Sequence, residues 1–89
     1  MKQVIKNIIE SKIPKGFIFD AHSIIDYLIQ NETETYLSFY ENKWKTNYFH
    51  SEISKLIATF ENTLIDRQGT SWSRNIHNNF TENVCWLKK

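Results

Sequence analysis

The spacing of apolar residues along this chain changes once, near Asn62, and that change narrows the possible folds more than any other feature. Before it, apolar residues recur every three or four positions; after it, they alternate. In the stretch FHSEISKLIATFENTL, residues 49–64, Phe49, Ile53, Leu56, Ile57, Phe60 and Leu64 share one helical face. Ser51, Ser54, Lys55, Thr59 and Asn62 take the other faces. Further on, Trp72, Arg74 and Ile76 alternate with Ser71, Ser73 and Asn75, and Val84, Trp86 and Lys88 alternate with Cys85 and Leu87. The polar HNNFTEN between them can turn the chain. The expectation is an α+β fold, mostly helical, with three to four helices followed by a C-terminal antiparallel β-hairpin. Its strands would stack Trp72 and Ile76 near Val84 and Trp86 against the helices.

Earlier segments fit the same plan. Val4, Ile5, Ile8, Ile9 and Ile13 line one face of a helix over about 2–12, which Pro14 and Gly16 stop. Phe17, Ile18 and Phe19 read as a brief extended segment. Asp20 is placed to cap a helix over about 21–30, whose apolar face is Ile24, Ile25, Leu28 and Ile29. Tyr36, Leu37, Tyr40 and Trp44, with Phe39 beside them, suggest a helix over about 33–43. Thr46 or Asn47 would cap the last helix, about 47–62. Leu64, Ile65 and Asp66 lead into the first strand of the hairpin, and Gly69 breaks it.

The chain has 89 residues, 40% hydrophobic and 15% aromatic, which suits a single domain over 1–89 with one core rather than a disordered segment. Two glycines and one proline argue against a loop-rich β architecture. No apolar run approaches the ~18–20 residues that span a bilayer, and the first residues place charges every few positions. The expected setting is cytoplasmic, without a membrane partner. The lone Cys85, between Val84 and Trp86, reads as a packing residue.

Charge is distributed in blocks. Residues 1–16 carry Lys2, Lys6, Lys12 and Lys15 against Glu10, and residues 17–42 carry five acidic residues and no Lys or Arg. The remainder carries seven basic residues against Glu52, Glu61, Asp66 and Glu82. The middle would repel phosphate and the ends could approach it.

The order helix, extended segment, three helices, hairpin resembles the winged helix-turn-helix domains of DNA-binding proteins. PKGFIFDAHSIIDYLI looks like the first strand running into a helix, HSEISKLIATF like the recognition helix, and SWSRNI with VCWLK like the wing. The chain departs from the family in an additional helix at about 33–43 and in a recognition helix whose one basic residue is Lys55. The resemblance implies a winged-helix-like domain that binds double-stranded DNA, as in a small transcriptional regulator or a phage or mobile-element protein. Its recognition helix would span about 47–62 and its wing about 70–88. On that helix His50, Ser51, Ser54, Lys55 and Thr59 would face the groove. At the hairpin Arg67, Arg74, His77, Asn78 and Asn79 would contact phosphates or the minor groove, helped by Lys43, Lys45, Lys88 and Lys89.

Catalytic and cofactor chemistry finds little footing, and the expectation is a non-enzyme without cofactor or metal. His22, His50 and His77 are far apart in sequence, paired metal-ligand spacing is missing, and two glycines cannot make a phosphate-binding loop. A second reading is a protein interaction or inhibitor module. Three tryptophans and four tyrosines exceed what a small core needs, and Trp44, Tyr40, Tyr48 and Trp72 are the hardest to bury. The acidic segment 17–42 could meet a basic partner, and a homodimer is a further option.

Overall fold

The computed structural model describes residues 1–40 and 46–89, with side chains described for 1–40 and 49–89. Helix α1 (Lys2–Lys12) leads to strand β1 (Ile18–Asp20), then α2 (Ala21–Asn31), α3 (Thr33–Phe39) and α4 (Thr46–Ala58). Strands β2 (Ile65–Arg74) and β3 (Phe80–Lys88) complete the chain. The sheet is antiparallel with order β1-β3-β2, so β1 closes one side of the C-terminal hairpin. The fold is α+β, helices first and hairpin last, in a winged-helix-like layout.

Isoleucine builds the core. Ile5 and Ile9 of α1, Ile24 and Ile25 of α2 and Ile53 and Ile57 of α4 are all nearly inaccessible and meet Leu28, Phe49, Ile65 and Trp86. Burying each such side chain contributes about 1.5–3 kcal/mol. Phe49 is ringed by Tyr36, Phe39 and Tyr40, with centroid separations of 5.0, 5.7 and 5.0 Å, which is how the additional helix α3 attaches to α4. Cys85 is buried and unbonded, as its neighbours suggested.

Local chemistry sets the boundaries. Ile13 turns extended ahead of Pro14, ending α1, and Gly16 (φ +85°) donates its amide to the Lys88 carbonyl at 2.8 Å. Asp20 caps α2 as expected, its Oδ1 accepting from the Ser23 amide at 3.2 Å. Helix α3 ends at Phe39, with Tyr40 extended, rather than at about 43; residues 41–43 of that expected helix lie outside the described residues, as do the proposed caps Thr46 and Asn47 as side chains.

Helix α4 stops at Ala58, short of the expected 62. The Thr59 hydroxyl donates to the Leu56 carbonyl at 2.6 Å, and the Phe60 amide bonds Ile57 O at 3.0 Å in a tightened last turn. Asn62 then takes a left-handed conformation (φ 69°) in the turn toward β2, its amide donating to the Ile65 carbonyl at 2.8 Å.

The hairpin departs from expectation in three ways. Its strands are longer, with β3 starting at Phe80 and the turn confined to residues 75–79. Gly69 does not break β2; the register slips between Arg67 and Gly69, a bulge that the glycine's φ of +104° permits. Trp72 and Ile76 do not stack on the helices either: they are 67% and 41% exposed. Trp72 keeps the expected face, paired with Glu82 on the side that carries Val84 and Trp86, but the hairpin outruns the core.

Lys88 is a further correction to the sequence reading. It is buried, and its ammonium donates to the carbonyls of Ile9, Glu10 and Ile13 at 2.8, 3.3 and 3.0 Å. A cation at the negative end of α1 satisfies the carbonyls that the helix leaves over. It is therefore spent on the fold and is not free for phosphate.

Candidate nucleic-acid interface

The face of α4 named from sequence divides in two. Ser51, Lys55 and Thr59 are exposed, Thr59 just past the helix end, whereas His50 and Ser54 are half-buried. His50, Ser51 and Ser54 look across a cleft of about 280 Å³ toward Asn75, His77, Thr81 and Asn83 of the hairpin, with Ala21, His22 and Ile25 of α2 forming its floor. Arg74 and Asn78 line a neighbouring cleft of about 530 Å³ against α2, with Asp20, His22, Asp26 and Ser73. The Arg74 guanidinium donates to Asn78 Oδ1 at 3.0 Å, and Asn78 holds a left-handed turn position (φ 67°). Lys55, Arg67 and Ser54 border a third groove of about 350 Å³ with Ala58, Val84 and Trp86. The sequence-named residues thus surround the junction of α4 and the hairpin rather than forming one surface. Lys43 and Lys45 lie outside the described residues, as do Trp44 and Tyr48 as side chains.

Lys55 and Arg67 already have carboxylate partners. Lys55 Nζ pairs with Glu52 at 3.0 Å, an exposed pair that phosphate can compete for. Arg67 Nε donates to Glu61 Oε2 at 2.8 Å, and the Trp86 indole donates to the same oxygen at 2.7 Å. These donors, the indole first and then Arg67, hold the Glu61 carboxyl below the usual glutamate value. Arg67 consequently reaches a phosphate only by leaving this arrangement.

Between the clefts runs a chain of polar groups. Asp20 Oδ2 accepts from the hydroxyls of Ser73 (2.6 Å) and Ser71 (3.1 Å), and His22 Nδ1 lies 2.6 Å from Ser73 Oγ. The bulge makes this possible, because a one-residue slip is what puts Ser71 and Ser73 on the face of the sheet that carries Asp20, and Trp72 on the other. Burial pushes the Asp20 carboxyl up, but Ser73, the Ser23 amide, Ser71 and the charge of His22 outweigh it and leave the group below 3.8. The order acid–hydroxyl–imidazole differs from a nucleophilic set, in which the imidazole stands between acid and hydroxyl to take the hydroxyl proton. Here the Ser73 proton goes to a carboxylate, and the chain ties the hairpin to the start of α2.

His50 is the other perturbed group. Its Nε2 lies 3.0 Å from the Tyr36 hydroxyl, and burial, aided by the nearby His77 and His22, brings its imidazole down to about 4. It is neutral near pH 7. His22, His50 and His77, scattered in sequence, therefore border one cleft. Thr81 and Asn83 were missed as cleft residues; the signal was the run of small polar residues at every second position of both strands. The Asn83 Oδ1 is buried and lacks a hydrogen-bond partner among the described residues.

Among the described residues no group of three His, Cys, Asp or Glu side chains is placed to hold a metal ion, and no helix is long and apolar enough to cross a membrane. No protein-family model, curated protein or solved structure matches the chain.

Proposed function

We propose that the protein binds double-stranded DNA through α4 and the β2–β3 hairpin. The observation that carries this reading is the element order with the sheet order β1-β3-β2, which sets a long hairpin beside the last helix as a wing stands beside a recognition helix. Ser51 and Lys55 on the exposed side of α4 let the helix approach a groove closely, and Ser and Thr hydroxyls serve either base type. Arg74, His77 and Asn78 at the hairpin end are exposed and suit the backbone of the same duplex.

Binding to duplex DNA measured at about 50 mM and about 200 mM salt tests the reading. Lys55, Arg67 and Arg74, if all three meet phosphates, give a log–log salt slope of about −3. Lys55→Ala and Arg74→Ala should each weaken binding and flatten that slope by about one. A duplex affinity that does not respond to salt would sink the proposal.

A second reading, binding to a protein partner, draws on a different observation. Trp72 and Phe80 are 67% and 59% exposed and stand on one face of the hairpin, and Leu37 of α3 is 61% exposed. Trp is favoured at interface hot spots. Salt-insensitive association lost on Trp72→Ala would favour this reading over DNA.

A further inference from the structure

The cleft bordered by His22, His50 and His77 has a lining suited to an oxyanion. Hydroxyls of Ser51, Ser54 and Thr81 share it with the three imidazoles, and among the described residues no carboxylate lines it. The nearest acid, Asp20, stands behind Ser73 and has three donors of its own. We propose that this cleft is an oxyanion subsite for a phosphate group, and that His22 takes up a proton when the phosphate enters. The proposal rests on the DNA reading for the source of the phosphate, a backbone phosphodiester, but its chemistry is equally that of a free phosphate.

The proton requirement follows from hydrogen-bond bookkeeping. A hydroxyl has one proton, and Ser73 gives its proton to Asp20 Oδ2, an ionised carboxylate that only accepts. The contact at 2.6 Å between Ser73 Oγ and His22 Nδ1 must then be made by an Nδ1–H donor. With the proton fixed on Nδ1, Nε2 of a neutral His22 is a lone pair and repels an oxyanion. Protonation at Nε2 converts it to a donor and supplies a positive charge while leaving the Nδ1–Ser73 bond intact.

The groups facing His22 are consistent with this. Strand β1 contributes Asp20 through Ser73, α4 contributes His50, and the hairpin contributes His77, with Tyr36 of α3 behind His50. His50 is held neutral by its burial, so a charged His22 meets a second imidazolium only from the exposed His77. Arg74 and Asp26 lie in the neighbouring cleft that His22 also borders.

The experiment combines titration calorimetry and imidazole NMR at about pH 5.5 and about pH 7.5. Inorganic phosphate and a short duplex are the two probes. Calorimetry in buffers of different ionisation enthalpy reads proton uptake directly. Either probe should shift the His22 ring signals, take up a proton at the higher pH, and bind roughly tenfold tighter at the lower pH, the worth of one charged hydrogen bond. His22→Gln should abolish the proton uptake, and Ser73→Ala, which frees the tautomer, should reduce it.

Duplex binding that is salt-sensitive yet releases no His22 shift and no proton uptake overturns the subsite while the DNA reading stands. Phosphate binding with proton uptake, but no duplex binding, upholds the subsite as one for a small phosphate and removes the DNA reading. Proton uptake unchanged in His22→Gln assigns the proton elsewhere and overturns the proposal.

Discussion

Trp86 and Trp72 stand on the same face of the β2–β3 hairpin, yet Trp86 is 1% exposed and Trp72 is 67% exposed. Around Trp86, at the base, the hairpin meets α1, α4 and β1. Phe19 lies against its ring at 5.8 Å, Glu61 accepts a hydrogen bond from its indole, and Lys88 two residues on caps α1. Around Trp72 the hairpin's polar ties to Asp20, through Ser71 and Ser73, are on the opposite face. A strand's alternation thus says which side chains share a face, while the reach of the helices decides whether that face is covered.

The comparison breaks most easily at the tryptophans themselves. Trp86→Ala should cost about 3–5 kcal/mol, since it removes a filled core volume and one of the two donors to the Glu61 oxygen. A loss of that size rivals the whole stability of an ordinary small domain. Trp72→Ala should cost within about 0.5 kcal/mol. Urea midpoints of the two variants check this, and similar midpoints would show that the outer hairpin face is covered in solution.

The base is sharpened next by its buried cation. Lys88→Met keeps the stem but leaves the carbonyls of Ile9, Glu10 and Ile13 at the end of α1 without their donor, at a cost of about 2 kcal/mol. Lys89, one residue later, is 42% exposed and sits 3.7 Å from Asp66 in a surface pair, so Lys89→Ala should change stability by only about 0.2–0.5 kcal/mol. Amide exchange at the C-terminal end of α1 should quicken in Lys88→Met alone. Equal effects at the two positions would mean that the ammonium of Lys88 does not act on the helix.

The same contrast separates what could be read from sequence from what could not. The apolar faces of α1, α2 and α4 were legible because isoleucine repeats at helical spacing, and the cap at Asp20 because a carboxylate ahead of a helical run has one obvious use. The stop at Ala58 was less so, since it depends on Thr59 and Asn62 choosing backbone partners over another helical turn. The bulge was hidden in one glycine, and with it the placement of Ser71 and Ser73 beside Asp20. Lys88 looked like a surface base because alternation cannot reveal a helix end waiting behind a strand. As for the candidate site, the residue types were visible but not their grouping: His22, His50 and His77 come from α2, α4 and the hairpin turn, and only the tertiary fold brings them to one cleft.

An effect smaller than those at Trp86 and Lys88 lies at that junction, and it has a pH signature. His50 titrates at about 4 in the folded chain, against about 6.5 when unfolded, so between these values the unfolded chain binds more protons than the native one. Stability from neutral His50 is therefore fully present above about pH 6.5 and is lost as pH falls toward about 4. The lowered carboxyls, Asp20 and Glu61, lose their contribution only below their ordinary values of 3.8 and 4.5, so they leave the range above about pH 5 to the histidine. Because the ring is only half-buried, its full shift is discounted for solvent screening, leaving a loss of about 1 kcal/mol between about pH 7 and about pH 5. His50→Gln keeps a polar group beside Tyr36 and should flatten that pH dependence in urea melts. A variant as pH-sensitive as the parent would move the effect to His22 or His77. The α4 side of the cleft would then be as open to solvent as the hairpin's outer face.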